Sequence, residues 1–521
     1  MPPISASKLP PELRRMVCDA ADSREDLYSM ALTCTSWSAP ALDALWASLH
    51  YIRPLLTLAT LLGWSEEDDT DSDESESSRS STPQIDWTRF DSYANRVRTL
   101  RYSYFSGGNG NVDVYDVIGD LFRARQRPLL PLLREFRWEH VHSSSTLDVR
   151  LPGVLEAFTT GSLQAVSVST SLMAEYEDIP RISDRILASR DIALGNWFAT
   201  LPRRCPGLVN FSLGGYVPVF SLDFIREFQS LVVLDLGDLH MYNTGWVKAR
   251  RLRSFAQLTQ LKTFAVIAYI ERPQDIAGAW SAFPILETLR TENTMPAVAN
   301  EIVRRISSNR LKNFFYNLTE DPLDLYDVQL LFGSLARFSS SLTTLRIDIE
   351  SISDPESPDG ARFSEVISPL LVLPNIQELR ISPFYQNPDD LPPYMAVDED
   401  LERMARAWPA LAELQLNVRV ADGGVTFQSL VTLATCSPHL KSLYLYSMNV
   451  PETLNLRTAP QTSHRLEVLH LRSPTYRDAE EFAGALWRLF PGLQTEKMRD
   501  KFPSDVLESL EELAIGSRIG C

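Results

Sequence analysis

The most regular feature of the chain is a recurring pattern of apolar positions, Leu-x-x-Leu-x-Leu, in which other apolar residues can replace leucine. Successive units start about 31 residues apart on average, as in proteins built from internal repeats. The thirteen units begin at Val97, Leu133, Leu163, Leu208, Leu231, Leu261, Leu286, Leu311, Leu342, Ile376, Leu411, Leu440 and Leu466. Alternate side chains of a strand point to opposite faces, so each unit predicts a short strand with one buried face.

A proline precedes many of these strands at a fixed distance. It stands two residues before the first apolar position at Pro131, Pro206, Pro284, Pro374, Pro409, Pro438 and Pro491. Because 44% of the chain is hydrophobic, single apolar triplets arise often by chance, and the recurring proline is the stronger signal. Proline ends a helix and needs no acceptor for an amide proton, so the chain can turn into the next strand. The two patterns together predict a repeating helix–turn–strand unit.

Three stretches interrupt the repeat. Residues Tyr176 to Asp191 lengthen one interval and are predicted to be an inserted loop or helix. Residues 354–360 and 383–393 are rich in proline and aspartate, which predicts loops.

The first fifty residues lack the repeat and predict three short helices, here called the head. Pro11 followed by Glu12 is typical of a helix start, and Ser23 to Asp26 predicts a capping box that opens the second helix. A third helix follows Pro40. The apolar residues at helical spacing are Leu13, Met16, Val17, Leu27, Met30, Ala31, Cys34, Leu42, Leu45, Trp46 and Leu49. Such a small bundle has more apolar surface than it can bury, which indicates docking on a partner.

The head resembles the F-box, whose pattern has a Leu-Pro-x-Glu-Leu start, an Asp-Leu pair, a Leu, Cys and Trp group and a final Leu-Trp. The matching residues are Leu9, Pro10, Glu12, Leu13, Asp26, Leu27, Leu32, Cys34, Trp37, Leu45 and Trp46. The resemblance covers about residues 7–50 and departs from the family between Met16 and Ala21, where the family usually has a more apolar run.

This resemblance implies docking on the S-phase-kinase-associated adaptor, which connects F-box proteins to a cullin–RING ubiquitin ligase. The residues that it assigns to adaptor binding are Leu9, Pro10, Glu12, Leu13, Leu27, Leu32, Cys34, Trp37, Leu45 and Trp46. The rest of the chain resembles the leucine-rich repeats of F-box/leucine-rich-repeat proteins, particularly the divergent fungal ones. The expected fold is therefore α/β, a leucine-rich-repeat horseshoe solenoid preceded by a three-helix F-box. The expected divisions are a helical domain at 5–50, a connecting helix and acidic linker at 51–92, and the solenoid at 93–521.

One row of the predicted sheet carries candidate binding residues. The residue between the last two apolar positions of a unit faces outward on the sheet. In thirteen units this row reads Arg101, Arg137, Ser167, Ser212, Asp235, Ala265, Arg290, Phe315, Arg346, Arg380, Gln415, Tyr444 and His470. The residues predicted to bind a protein substrate, with a preference for an acidic or phosphorylated segment, are Arg290, Phe315, Arg346, Arg380, Gln415 and Tyr444. In the alternative, the arginines only pair with Thr288 and Glu292, Asp348 and Glu378 in the flanking rows.

Composition narrows the function. The net charge of −17 disfavours non-specific nucleic-acid binding, and five scattered cysteines predict reduced thiols rather than disulfides. No signal peptide or membrane span is evident, so a cytoplasmic or nuclear location is expected. No phosphate-binding loop, HExxH or Gly-x-Ser-x-Gly motif occurs, and no cofactor is expected. His140 and His142 beside Glu139 form a weak candidate for a metal pair, and no metal is expected.

Two functions follow from these patterns. The preferred one is a non-enzymatic substrate-recognition subunit of a cullin–RING ubiquitin ligase, with the head on the adaptor and the repeats on the substrate. The alternative is a ligase-independent interaction scaffold, because the run from Met16 to Ala21 departs from the family pattern.

The acidic segment Ser65 to Pro83 is predicted to be a disordered linker, since it has eight acidic residues and no aliphatic or aromatic side chain to bury. We expect its deletion to change the free energy of unfolding by less than about 1 kcal/mol, because it adds little to the folded state. Denaturant unfolding of the full chain and of the deletion variant measures this difference. A larger loss would contradict the prediction and mean that the segment packs against the fold.

Overall fold

All thirteen repeat units are β-strands in the computed structural model, and every strand begins two residues after the first apolar position of its unit. The described residues are 9–60, 87–106, 114–142, 150–172, 184–217, 221–241, 249–268, 281–318, 323–349, 352–353, 362–382, 396–417, 425–450, 456, 459–499 and 502–519. Contacts divide the chain into two compact units, Met1–Gly245 and Trp246–Cys521.

The first unit contains the head and the first five repeats. Its helices are α1 (Pro11–Asp19), α2 (Arg24–Thr33), α3 (Thr35–Ala47), α4 (Arg53–Thr60), α5 (Trp87–Ala94), α6 (Val114–Arg125), α7 (Leu151–Phe158) and α8 (Asp184–Arg204), followed by a 3-10 helix at Asp223–Glu227. Its strands are β1 (Ser48–Leu49), β2 (Thr99–Ser106), β3 (Glu135–His142), β4 (Ala165–Leu172), β5 (Asn210–Val217), β6 (Val233–Leu236) and β7 (Leu239–Met241). Strands β1 to β6 pair in chain order, all parallel, and β7 pairs with β5. The strand β1 covers only Thr99 and Leu100 of β2.

The second unit contains the other eight repeats. Its helices are α9 (Ala249–Phe255), α10 (Pro296–Arg305), α11 (Leu325–Ser334), α12 (Phe363–Ile367), α13 (Asp398–Ala407), α14 (Phe427–Cys436), α15 (Ala479–Leu489) and α16 (Ser504–Ile519), with 3-10 helices at Leu335–Phe338, Ser368–Val372 and Thr495–Lys497. Its strands are β8 (Thr263–Ile267), β9 (Thr288–Glu292), β10 (Asn313–Leu318), β11 (Leu323–Asp324), β12 (Thr344–Ile349), β13 (Ile352–Ser353), β14 (Glu378–Ser382), β15 (Glu413–Leu416), β16 (Ser442–Asn449) and β17 (Val468–Thr475). Strands β8, β9, β10, β12, β14, β15, β16 and β17 pair in chain order, all parallel, while β11 pairs with β13. The predicted α/β class and the solenoid arrangement of parallel strands are confirmed.

The core of each unit lies between its sheet and its helices. The middle apolar residue of every repeat is 2% exposed or less: Leu100, Phe136, Val166, Phe211, Leu234, Phe264, Leu289, Phe314, Leu345, Leu379, Leu414, Leu443 and Leu469. Parallel strands joined by helical connections are a standard way to bury one face of a sheet. The alternation of apolar and polar positions in the sequence therefore identifies the buried face correctly.

Six of the seven prolines occupy the turn that leads into a strand, as predicted, whereas Pro491 is followed by the 3-10 helix at Thr495–Lys497. The amide of the first apolar residue donates to the carbonyl of the residue before the proline, as in Leu208 to Cys205 (3.2 Å), Leu411 to Trp408 (3.1 Å) and Leu440 to Ser437 (3.1 Å). This places proline at the second position of a four-residue turn, where its fixed φ is favourable.

A second recurring hydrogen bond joins neighbouring repeats within each unit. One carbonyl oxygen accepts from two consecutive amides of the following repeat: that of Lys312 accepts from Thr343 (2.9 Å) and Thr344 (3.0 Å). The same arrangement occurs at the carbonyls of Arg98, Arg134, Gln164, Val209, Lys262, Glu287, Thr343, Gln377, Ala412 and Lys441. Neighbouring strands therefore begin at matched positions.

The stretches that interrupt the repeat are described only in part. The insertion predicted between Tyr176 and Asp191 is helical from Asp184, where α8 begins. The acidic segment and the predicted loops at 354–360 and 383–393 lie outside the described residues.

Two adjacent residues of β15 differ in burial. Leu414 is fully buried, so we expect Leu414→Ala to cost about 2–5 kcal/mol, whereas Gln415→Ala should change stability by less than about 0.5 kcal/mol because Gln415 faces outward. Denaturation midpoints of the two variants measure the difference. Equal effects would contradict the assignment of faces.

Candidate interaction surfaces

The three head helices pack around a small core of Cys18, Leu27, Trp37 and Ala41. Ser23 caps the start of α2, which is the Ser23 half of the predicted capping box, because its Oγ accepts from the amides of Glu25 (3.1 Å) and Asp26 (3.4 Å). The side chain of Arg14 on α1 donates to the carbonyl of Ser36 on α3 (2.7 Å). The head is therefore held by one apolar cluster and by polar contacts around it.

The residues predicted to bind the adaptor fall into three groups. Leu27 and Trp37 are buried in the head core, where they support the fold rather than offer a surface. The half-buried residues are Leu9, Leu45 and Trp46, and Leu9 and Leu45 pack against the core. The exposed residues are Pro10, Glu12, Leu13, Leu32 and Cys34.

The head exposes more apolar side chain than the sequence resemblance identifies. On α1, Leu13 is 44% exposed, Met16 64% and Val17 43%, and on α2 Tyr28 is 59% exposed and Leu32 69%. The spacing of Leu13, Met16 and Val17 predicts that they share a helix face, but spacing does not tell which face is buried. Cys18 is the buried residue of α1, so this apolar face points to solvent.

The head is joined to the first strands of its unit. Arg96 forms an ion pair with Asp43 on α3 and donates to the carbonyl of Ala39 (3.2 Å). The ring of Trp46 lies 4.7 Å from that of Tyr93, centroid to centroid. Because β1 follows α3 directly and pairs with β2, the head continues into the sheet.

The row predicted on the strand face is in register in the second unit. Ala265, Arg290, Phe315, Arg346, Arg380, Gln415, Tyr444 and His470 are paired in that order on eight neighbouring strands. Strands in a sheet lie about 4.8 Å apart, so Arg290, Phe315, Arg346 and Arg380 stand side by side, as predicted.

The stripe formed by Arg290, Phe315, Arg346 and Arg380 contains three arginines, and each of them has an acidic partner. Arg290 pairs with Glu292, Arg346 with Glu378, to which its Nε donates at 2.7 Å, and Arg380 lies 3.6 Å from Asp348. The alternative that the sequence left open, pairing with flanking acids, is thus present in the structure. The stripe is a set of ion pairs and not a run of free guanidinium groups.

Further contacts shape the same face. The guanidinium of Arg346 lies 5.5 Å above the ring of Phe315, within cation–π range. Burial raises the pKa of Asp348, while the nearby Arg380 and Arg346 oppose this shift. The fold therefore penalises the charged carboxylate, and the two guanidinium groups reduce the penalty.

Beyond Gln415 the row becomes aromatic. The rings of Tyr444 and His470 stack at 4.4 Å, and the guanidinium of Arg472 lies 5.2 Å from the ring of Tyr446. Burial, and then the charge of Glu413, raise the pKa of Tyr444. The face thus passes from ion pairs at β9 to β14 into aromatic and polar groups at β15 to β17.

The corresponding row of the first unit has a different composition, with two arginines, two serines and one aspartate. Arg101, Arg137, Ser167, Ser212 and Asp235 are in register, and Arg101 pairs with Glu135 (2.9 Å). Small hydroxyl side chains on β4 and β5 replace the arginines and aromatic residues of the second unit.

Groups that could bind a metal are dispersed in the described part of the chain. Nowhere in it do three His, Cys, Asp or Glu side chains come together. His140 and His142 lie two residues apart in β3, but their side chains are outside the described residues. His464 is buried, and its ring bridges the carbonyl of Ser437 (2.8 Å) and the amide of Leu466 (3.1 Å), which is a structural role.

The cysteines behave as separate thiols in the described residues. Cys18, Cys34, Cys205 and Cys436 are free, and Cys521 lies outside the described part. A hydrogen bond from Ser36 lowers the pKa of the exposed Cys34, whereas burial raises that of Cys205 to about 11.

Of the helices described, none has both the length and the apolar character needed to cross a membrane.

Comparison with known proteins identifies no family for this chain. No protein-family model matches it, and a search of curated proteins finds no significant relative.

Proposed function

We propose that this protein is a substrate-recognition subunit of a cullin–RING ubiquitin ligase. The head would dock on the S-phase-kinase-associated adaptor, and the strand face of the repeats would bind the protein to be modified. The observation that carries the proposal is the solvent-exposed apolar face of α1, formed by Leu13, Met16 and Val17, within a segment that resembles the F-box.

Exposed apolar surface on the head supports a permanent or frequent partner. Side chains such as Met16 and Leu32, more than 60% exposed, cost free energy in water that burial at an interface recovers. The head also holds its own core, so docking need not disrupt its fold.

Continuity between the head and the repeats supports a positioning role. The Arg96–Asp43 ion pair, the Trp46–Tyr93 ring contact and the β1–β2 pairing fix the head to the segment from α5 to β2. A subunit that orients a substrate lysine near a catalytic partner contributes through placement, and needs no catalytic residue of its own.

The strand face of the second unit is the proposed substrate side. Its arginines are paired, so a purely acidic segment would have to compete with Glu292, Asp348 and Glu378. A segment with both acidic and donor groups fits better, because it can exchange ion pairs without leaving a buried charge unpaired. Phe315, Gln415 and Tyr444 would supply apolar and polar contacts along the same row.

A ligase-independent scaffold is the second candidate. Between Met16 and Ala21, where the F-box is usually more apolar, α1 ends in Asp19 and Ala20 is exposed. This departure favours a head that binds some other partner through the same face, and adaptor binding distinguishes the two functions.

We expect the double variant Leu13→Glu, Met16→Glu to lose binding to purified adaptor by at least about tenfold, because it places two charges on the apolar face. Biolayer interferometry with the full chain measures the affinity, and circular dichroism checks the fold. Leu9→Ala would test the surface less cleanly, since Leu9 packs against the head core.

The matched control is Val372→Glu, which charges an apolar side chain that is 55% exposed in the second unit. It should bind the adaptor like the unchanged protein. If the unchanged protein fails to bind the adaptor at concentrations of about 10 μM, the ligase role is wrong and the scaffold remains.

For the strand face, we expect Arg346→Glu together with Arg380→Glu to remove partners that co-purify with the full chain, while adaptor binding persists. The reversal puts new carboxylates beside Glu378 and Asp348, so the face repels acidic groups and loses its ion pairs. Quantitative mass spectrometry of co-purified proteins measures the change.

Arg406→Glu is the control for this experiment, because Arg406 is an exposed arginine on α13 whose ion pair is with Glu402 four residues earlier. An identical set of partners for the double variant and the control would place the substrate site elsewhere.

A further inference from the structure

We infer that the groove between α10 and α11, on the helix side of the second unit, binds an acidic peptide segment of a partner protein. The groove has a volume of about 570 Å³ and is lined by Asn300 and Arg304 of α10, by Leu330, Gly333 and Ser334 of α11, and by Arg337. It is on a different layer from the strand face and is independent of the proposed ligase role.

Two arginines give the groove its charge. The side chain of Arg304 is 64% exposed, and its ion pair with Glu301 is long, at 3.4 Å. Glu301 is also engaged by Arg305 at 3.0 Å, so one carboxylate serves two guanidinium groups. Arg337 donates one N–H to the carbonyl of Arg304 (3.1 Å), which leaves its other donors available.

The described residues that line the groove include these two arginines and no acidic side chain, although the net charge of the protein is −17. Guanidinium groups bind carboxylates through paired, charge-assisted hydrogen bonds. A carboxylate-bearing side chain is therefore the group that this end of the groove fits.

The shape of the groove depends on a glycine. A Cβ built on Gly333 meets no atom within 4 Å, so internal packing does not require glycine there. Glycine in a helix costs up to about 1 kcal/mol relative to alanine. The open space that Gly333 leaves allows another chain to approach α11 closely.

Two further groups favour a peptide over a simple anion. The Oδ1 of Asn300 is buried and has no hydrogen-bond partner in the described structure, so it needs a donor such as a peptide N–H. Leu330, 43% exposed, and Tyr326, 66% exposed, lie on the Gly333 face of α11 at helical spacing. An acidic segment with an adjacent apolar residue satisfies the arginines, the amide oxygen and this apolar wall together.

The test is fluorescence anisotropy of a short synthetic peptide of alternating glutamate and leucine, titrated with the full chain. We expect saturable binding below about 1 mM that weakens as salt is added, because the contacts are ionic. The same peptide with lysine in place of glutamate should not bind. Arg304→Gln together with Arg337→Gln should weaken binding by at least about tenfold, while Arg406→Gln should leave it unchanged.

The variant Gly333→Leu tests the shape of the groove without changing its charge. It keeps both arginines and should lower affinity by filling the groove, whereas Gly333→Ala should raise the denaturation midpoint and leave binding nearly intact. Absence of saturable binding, equal binding of the lysine peptide, or full affinity in the double arginine variant would overturn the inference. Competition by inorganic phosphate as strong as that by unlabelled peptide would also overturn it, since the site would then recognise only an anion.

Discussion

Within each unit, the repeat structure depends on one backbone interaction, the carbonyl oxygen that accepts from two consecutive amides of the next repeat. It sits at the start of each strand and fixes where that strand begins relative to its neighbour. A slip of one residue would move every apolar side chain of a strand from the core to the solvent face. Because the register is fixed, residues about 31 positions apart in sequence become neighbours, and a binding surface can be assembled from single positions of many repeats.

The sequence predicts this fold well where the determinants are local. Strand alternation, the prolines in the turns and the order of the outward row from Arg290 to Tyr444 follow from backbone geometry repeated in each unit. It does less well where non-local contacts decide. The sequence offers the pairing of Arg346 with Glu378 as one of two alternatives and does not decide between them. The exposure of Met16 depends on which face of α1 meets the core, which spacing alone does not tell. The division of the chain at Gly245 has no signal in the repeat pattern. The sequence also carries no signal for the groove beside Gly333, because that groove depends on the packing of two helices that the repeat pattern does not define.

The paired charges on the strand face change how recognition there is understood. A free arginine stripe would attract any acidic segment, whereas ion pairs must be exchanged for equivalent contacts before a ligand gains anything. Such a face selects among ligands by the contacts that they can exchange, rather than attracting every acidic segment. The aromatic groups at Tyr444 and Tyr446 add contact area that does not depend on salt. The apolar face of α1 is of the opposite kind, since its contribution would come from area removed from water.

The shortness of β1 has a consequence for handling the protein. It pairs with two residues of β2, and no other described strand covers the remaining six residues on that side, from Arg101 to Ser106. Uncovered edge strands offer unpaired amides and carbonyls to other chains, and natural proteins shorten or charge them to prevent aggregation. Arg101, bound to Glu135, places one such charge on this edge. The edge of β2 is therefore one place where an added strand would extend the sheet, and the outer side of β17, which pairs only with β16 among the described strands, is another.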